Sequence, residues 1–229
     1  MKKYQIIYAD PPWSYRVWRK KEHGRTAKSH YSTMTIEDIR TLPVGQLADK
    51  NCILFLWVTF PVIREAFTVI DAWGFTYKTV AFCWVKQNRK SPSLFWGLGH
   101  WTRANAELCL LATKGSPKRQ SARVHQIVMT PVEAHSKKPD VVRDKIVALA
   151  GDVPRIELFA RQATPGWDVW GNEVEPTIRD FGTICPKVRD GAFHLVSPHI
   201  PAGRRLSCEQ LHPGHIAHEG HDLFTGLLR

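Results

Sequence analysis

The run CILFLWV at 52–58 is seven apolar residues in succession, with no polar residue alternating among them. A strand with one wet face alternates, so a continuous run of this length predicts a strand buried on both faces. YQIIYA (4–9), TVAFCWVK (79–86) and AELCLLAT (106–113) read as further strands, and RIELFAR (155–161) is strand-like. Between these runs the spacing turns helical. Thr35 opens a short helix with Asp38 as its capping-box acid. Pro61 begins a second, carrying Val62, Ala66, Phe67, Ile70 and Trp73 and stopped by Gly74. Ser136 caps a third, with Pro139 in its first turn, which buries Val142, Ile146 and Leu149 and ends at Gly151. Strands alternating with helices predict an α/β domain with a mostly parallel sheet. Ligands in such sheets bind beyond the carboxyl ends of the strands, which puts Asp10 and the segment after Phe159 on one edge.

This pattern fills residues 1–175. Residues 176–229 are rich in Pro, Gly and His with little periodicity, and read as an irregular C-terminal appendage. The chain carries a net charge of +11, and 26 of its 32 Lys and Arg lie in 1–175 against 16 of its 21 acids. A basic main domain points to a polyanionic partner, with nucleic acid ahead of a membrane surface because no basic amphipathic helix stands out. The N-terminal apolar run is too short for a signal peptide and CILFLWV too short to cross a bilayer, so the expected compartment is the cytoplasm. The five cysteines are odd in number, and Cys52, Cys83 and Cys109 sit inside apolar segments, which predicts reduced thiols. In the tail, Cys208, His212, His215, His218 and His221 match no paired-ligand spacing, so no metal site is assigned.

The first strand runs into Asp10-Pro11-Pro12-Trp13. Two successive prolines fix the backbone and donate no hydrogen bond. At a ligand-binding edge the Asp10 carboxylate and the Pro11 carbonyl are two acceptors, and Trp13 is an aromatic face. Together they fit a flat ring bearing an amino group: the acceptors take the two amino hydrogens and the indole stacks on the ring. An exocyclic amine is a poor nucleophile because its lone pair is delocalised. Hydrogen bonds favouring a more tetrahedral nitrogen would free that pair, so the motif suits alkylation by positioning and electrostatics.

DPPW resembles the catalytic motif of amino-directed methyltransferases, Asp/Asn-Pro-Pro-aromatic. The wider chain resembles the MT-A70 family of adenine methyltransferases through YSTM (31–34), ILFLWV (53–58), WVK (84–86), GHW (99–101), ELCLLATKG (107–115), HSKKPD (135–140), IELFAR (156–161) and GWDVWGNE (166–173), in family order. The resemblance implies a Rossmann-like methyltransferase fold with permuted motif order and S-adenosylmethionine as methyl donor. It implies Asp10, Pro11, Pro12 and Trp13 as the catalytic turn, with Asp10 also beside the donor. It implies further that Lys138 contacts the donor's carboxylate, that Phe159 and Arg161 line its pocket, and that Asn172 and Glu173 hold its ribose hydroxyls. On the acceptor side stand Trp13, then Arg16, Arg19, Lys20 and Tyr31 in the long polar segment after it, and His100, Trp101, Arg103 and Asn105 after a Gly-rich loop. Arg89, Lys90, Lys118, Arg119 and Arg123 are further basic loop residues for phosphate contact.

The expected activity is methylation of the 6-amino group of adenine in nucleic acid, with DNA favoured over RNA because the short chain resembles bacterial or phage members. Two alternatives stay open at this point: a catalytically silent, nucleic-acid-binding partner subunit, and an amide methyltransferase acting on protein.

Overall fold

The molecule, a computed structural model, describes residues 2–14, 33–133, 137–178, 181, 188–189 and 192–193. All lie in the first of two units, Met1–Val196 and Ser197–Arg229. Its strands are β1 (Tyr4–Ala9), β2 (Ala48–Val58), β3 (Thr76–Gln87), β4 (Glu107–Lys114), β5 (Ile127–Pro131), β6 (Arg155–Leu158) and β7 (Asp168–Trp170). They form one sheet in the order β5-β3-β4-β2-β1-β6-β7. The pairs β1–β2, β1–β6, β6–β7 and β3–β5 are parallel, and only β4 runs against its neighbours β2 and β3. This is the mostly parallel α/β sheet that the alternation of strands and helices predicts, with the Rossmann-like character that the resemblance implies. A separate two-stranded pair joins β8 (Val188–Arg189) to β9 (Ala192–Phe193).

Strand parity divides the CILFLWV run between two cores. Leu54, Leu56 and Val58 face Ile39 of α1 (Ile36–Thr41) and Ala66, Val69 and Ile70 of α2 (Ile63–Ala72). Ile53, Phe55 and Trp57 face the other way, toward Val142, Ile146 and Ala150 of α3 (Val141–Ala150). Burial on both faces explains why no polar residue interrupts the run. The α1 capping box forms as expected: Thr35 Oγ1 accepts from Asp38 N–H at 3.1 Å, and Asp38 Oδ2 accepts from the Thr35 hydroxyl at 2.7 Å and its N–H at 3.3 Å.

Local differences from the sequence reading have local causes. The second helix is preceded by a 3-10 turn over Phe60–Val62, so its α portion starts at Ile63, and Gly74 (φ 77°) ends it in the left-handed region. The third has Asp140 at its N-cap position, with no side-chain capping bond, and Pro139 just outside, whereas Ser136 lies outside the described residues. The RIELFAR strand stops at Leu158 because Phe159 takes φ 62°, which breaks the ladder. β5 falls among the basic loop residues and β7 within GWDVWGNE, and neither reads as a strand. The β7 edge is extended by residues beyond 175: Thr177 N–H donates to the Val169 carbonyl at 3.0 Å, and Phe181 is fully buried against Trp170.

Beneath the sheet's second face lies an ion pair. Arg143 on α3 grips both oxygens of Glu157 on β6 at 2.8 Å each, and its third nitrogen reaches Asp140 at 2.7 Å. The guanidinium lies 5.6 Å from the Tyr8 ring centroid. This strut ties the start of α3 to the strand that ends at Phe159.

Candidate active site

The reversed direction of β4 brings its first residue to the edge where β1, β2, β6 and β7 end. Val58 of β2 pairs with Leu108, and Trp84 of β3 pairs with Glu107. Glu107 therefore shares an edge with Asp10, Lys86, Phe159 and Trp170. Lys138, from the segment entering α3, reaches the same place: its Nζ lies 2.7 Å from Asp10 Oδ2 and 3.3 Å from Glu107 Oε2. Lys86 Nζ holds the other Glu107 oxygen at 2.5 Å and lies 4.9 Å from the Trp84 ring centroid. The result is a chain of alternating charge, Asp10–Lys138–Glu107–Lys86. Its members are mostly shielded, with Lys138 9% and Asp10 28% exposed at the side chain.

Burial and neighbours set the protonation states. Burial pushes the Asp10 carboxyl up from its ordinary value, against the pull of Lys138 and Arg161, and the Glu107 charge adds to the rise. Burial acts the same way on Glu107, but the Lys138 and Lys86 ammonium groups outweigh it and hold that carboxyl below its ordinary value. Burial alone would depress Lys138; Asp10 and Glu107 overcome this and keep it protonated. Neither Glu107 nor Lys86 was singled out from sequence. The available signal was Glu107 as the lone acid between residues 72 and 132.

The Asp-Pro-Pro-Trp segment is a rigid turn. Trp13 N–H donates to the Pro11 carbonyl at 2.8 Å, a three-residue turn centred on Pro12, and Met34 N–H donates to the Pro12 carbonyl at 2.9 Å. The Pro11 carbonyl, read from sequence as an open acceptor, thus already has one partner, and its second lone pair remains. Trp13 departs further from expectation. It is 5% exposed, belongs to the core, and donates its ring N–H to the Trp57 carbonyl at 2.9 Å. Here the indole braces the turn instead of presenting an open face. Trp57 in turn donates its ring N–H to the Tyr8 hydroxyl at 2.6 Å, which locks β2 to β1 just below the edge.

On the far side of Asp10, Phe159 is the only non-glycine with positive φ among the described residues. Its ring meets Trp170 edge-on at 5.7 Å. The chain after β7 passes so close that a Cβ on Gly171 would lie 2.0 Å from the Ala160 carbonyl oxygen, so only glycine fits. Beyond it Asn172 and Glu173 are exposed, and Glu173 pairs with Arg161 at 3.0 and 3.1 Å. Asp10, Lys138, Phe159, Arg161, Asn172 and Glu173 therefore all come to one edge, but Lys138 and Arg161 engage carboxylates of the chain itself.

The acceptor-side residues separate. Arg16, Arg19, Lys20 and Tyr31 lie outside the described residues. His100, Trp101 and Arg103 are exposed on the loop joining β3 to β4, with Trp101 92% exposed and 5.4 Å from the His100 ring. Asn105, expected to face substrate, instead accepts from Lys86 N–H at 3.0 Å and donates to the Lys86 carbonyl at 2.9 Å and to the Phe95 carbonyl. Its amide extends the strand ladder, so its role is to hold the loop. Arg89, Lys90 and Arg103 sit on this edge, whereas Lys118, Arg119 and Arg123 belong to the loop from β4 to β5, which starts at the opposite edge. No group of His, Cys, Asp and Glu able to hold a metal occurs among the described residues, and the Cys/His tail lies outside them. Among the described residues no helix is long and apolar enough to cross a membrane.

The MT-A70 family model matches residues 4–173. The chain is 35% identical over 190 residues to the Type II methyltransferase M.MunI of Mycoplasma sp., covering 76% of this chain and 78% of that one. It is 29% identical over 177 residues to the N(6)-adenosine-methyltransferase catalytic subunit METTL3 of Homo sapiens, of which it spans 28%. A putative N(6)-adenosine-methyltransferase MT-A70-like protein of Medicago truncatula is 31% identical over 176 residues, with 26% of its length covered. With a matched domain that runs from β1 through the turn holding Asn172 and Glu173, the chain belongs to the MT-A70 family of methyltransferases.

Proposed function

We propose that the chain methylates the 6-amino group of adenine in nucleic acid, with DNA favoured over RNA and S-adenosylmethionine as donor. The observation that carries this reading is the position of Asp10. Its carboxylate sits at the end of β1, fixed by Lys138 at 2.7 Å, on the edge where the rigid proline turn and the β6 and β7 ends converge. One Asp10 oxygen is bound by Lys138, so the other is the acceptor for an amino hydrogen, and the remaining lone pair of the Pro11 carbonyl is the second. Trp13 holds that turn from the core. Basic loop residues on this edge, Arg89, Lys90 and Arg103, supply phosphate contacts that add affinity without sequence choice.

The residues at the edge fit the donor by chemistry: a carboxylate for its ammonium, cations for its carboxylate, and an amide and an acid for its ribose diol. Asp10, Lys138, Phe159, Arg161, Asn172 and Glu173 would hold it, and when bound it supplies an electrophilic methyl. Glu107 and Lys86 keep Lys138 oriented and charged. The preference for DNA is supported by likeness: the chain is 35% identical to a Type II methyltransferase and 29% and 31% identical to the adenosine enzymes. The division into a catalytic domain over 1–175 and an appendage belongs to the same proposal, with the appendage's first residues, Thr177 and Phe181, packed on the domain.

Incubation with labelled donor and a panel of single- and double-stranded DNA and RNA oligonucleotides, followed by nucleoside mass spectrometry, tests the reading. N6-methyladenine in DNA is the expected product. Donor binding by calorimetry with no methylated nucleoside in any arm would refute it.

A further inference from the structure

Between residues 72 and 132 the chain holds nine Lys and Arg and one acid, Glu107, which two lysines already engage. These cations fall into two groups at opposite ends of the sheet. β4 leaves the catalytic edge at Glu107 and reaches the other edge at Lys114, which pairs with Cys52 near the start of β2. Its eight residues make the separation about 25 Å. The following loop is anchored at three points. Gly115 (φ 65°) abuts the Lys50 carbonyl, Ser116 N–H donates to Asn51 Oδ1 at 2.9 Å, and Gln120 N–H donates to the Leu149 carbonyl at the end of α3 at 2.7 Å. The loop then joins β5 partway up the sheet, where Gln126 donates to the Val80 carbonyl.

Lys118, Arg119 and Arg123 on this anchored loop are exposed, as are Lys50 and Lys78 near the starts of β2 and β3. None of the five has an ion-pair partner among the described residues. Residues 108–132 contain no acid, so the loop itself supplies none to pair with Lys118, Arg119 and Arg123. A fixed group of unpaired cations attracts a polyanion, and the regular charge spacing of a nucleic-acid backbone suits it. We propose that Lys118, Arg119 and Arg123 form a second nucleic-acid contact at the amino edge of the sheet. It engages the backbone at a distance from the target base and so requires a polymer long enough to reach both edges. This rests on the nucleic-acid reading above and adds to it a length requirement.

At 3.4 Å per base pair, about 25 Å corresponds to about 7 base pairs. The test compares hairpin stems of about 6 and about 30 base pairs. Binding to the full chain is followed by fluorescence anisotropy without donor, for the wild type and for K118Q/R119Q/R123Q. The expected result is a loss of about 10-fold or more on the long stem and less than about 2-fold on the short one. The slope of log affinity against log salt should fall on the long stem by about 2–3, near 0.9 for each phosphate contact removed. An unchanged long-stem affinity overturns the proposal and leaves the patch as a solvated face or a surface for another macromolecule. An equal loss at both lengths also overturns it, because it marks a general field effect. Binding is read without donor, so absence of methyl transfer refutes the catalytic reading alone, and transfer without length dependence refutes only this second contact.

Discussion

Lys138 Nζ lies 2.7 Å from Asp10 Oδ2, across 128 residues of sequence, and the same ammonium touches Glu107. A single cation thus fixes the orientation of the carboxylate that ends β1. Replacing Asp10 by Asn keeps the shape but weakens the acceptor and removes the charge facing Lys138. Methyl transfer in single-turnover experiments should fall by about 10²-fold or more, the usual cost of removing one preorganised polar group. Lys138 keeps Glu107 as a partner, so the melting temperature should change little. A variant that transfers at the wild-type rate would contradict the role of Asp10.

The pH dependence should expose the coupling to Glu107. Asp10 titrates above its ordinary value chiefly through burial, with the Glu107 charge adding to the rise. Activity that needs ionised Asp10 is lost as pH falls through that raised value, while Glu107, held low, is still ionised. In Glu107→Gln the negative neighbour is gone and Lys138 turns wholly to Asp10. Both changes ease ionisation, so the acid limb of kcat/KM should move to lower pH. Movement to higher pH would show that the coupling has the opposite sign.

The Arg143–Glu157 strut is buried on both sides, with side chains about a tenth exposed. Glu157→Gln leaves a guanidinium under the sheet with only Asp140 for a charged partner. Stability to urea should fall by about 3–5 kcal/mol. The paired change Arg143→Met with Glu157→Leu should recover most of that loss, because it removes both desolvation costs together. Equal destabilisation by the single and double variants would argue against the assignment.

Phe159 reverses an ordinary rule. Alanine is normally more stabilising than glycine, but at φ 62° any side chain is strained by about 1–2 kcal/mol. Phe159→Gly should therefore be more stable than Phe159→Ala, although both lose the ring contact with Trp170. Chemical denaturation of the two variants decides it.

Burial pushes the Cys52 thiol up to about 12, and raises the Cys109 thiol well above its ordinary value. Neither forms appreciable thiolate at neutral pH. Among the three described cysteines, alkylation followed by peptide mass spectrometry should label the partly exposed Cys83 first and leave Cys52 and Cys109 unmodified until the protein unfolds.

Five strands and three helices were legible because burial on both faces leaves unbroken apolar runs and because caps have a chemistry of their own. β5 was not. It is an edge strand with Ile127 and Met129 about half exposed, following an acid-free basic loop, and its pairing with β3 is decided by tertiary contact. β7 has three residues, too few to show a period. At the site, the place of Asp10 followed from the carboxyl-edge rule. The Lys138–Glu107–Lys86 chain did not, since it depends on β4 running backwards, and strand direction leaves no mark in an apolar run. Trp13 could not be read as a core brace because its ring N–H partner is a backbone carbonyl 44 residues away.

The reversal of β4 also governs the connection that precedes it. Residues 88–106 leave the sheet at Gln87 and re-enter at Glu107 on one and the same rim, where Asn105 stitches the two ends together. Insertions, deletions or wholesale replacement between those anchors would reshape what the rim offers to a passing polymer while the strands beneath keep their register. Across that span the outline of the rim and the register of the sheet are separately adjustable.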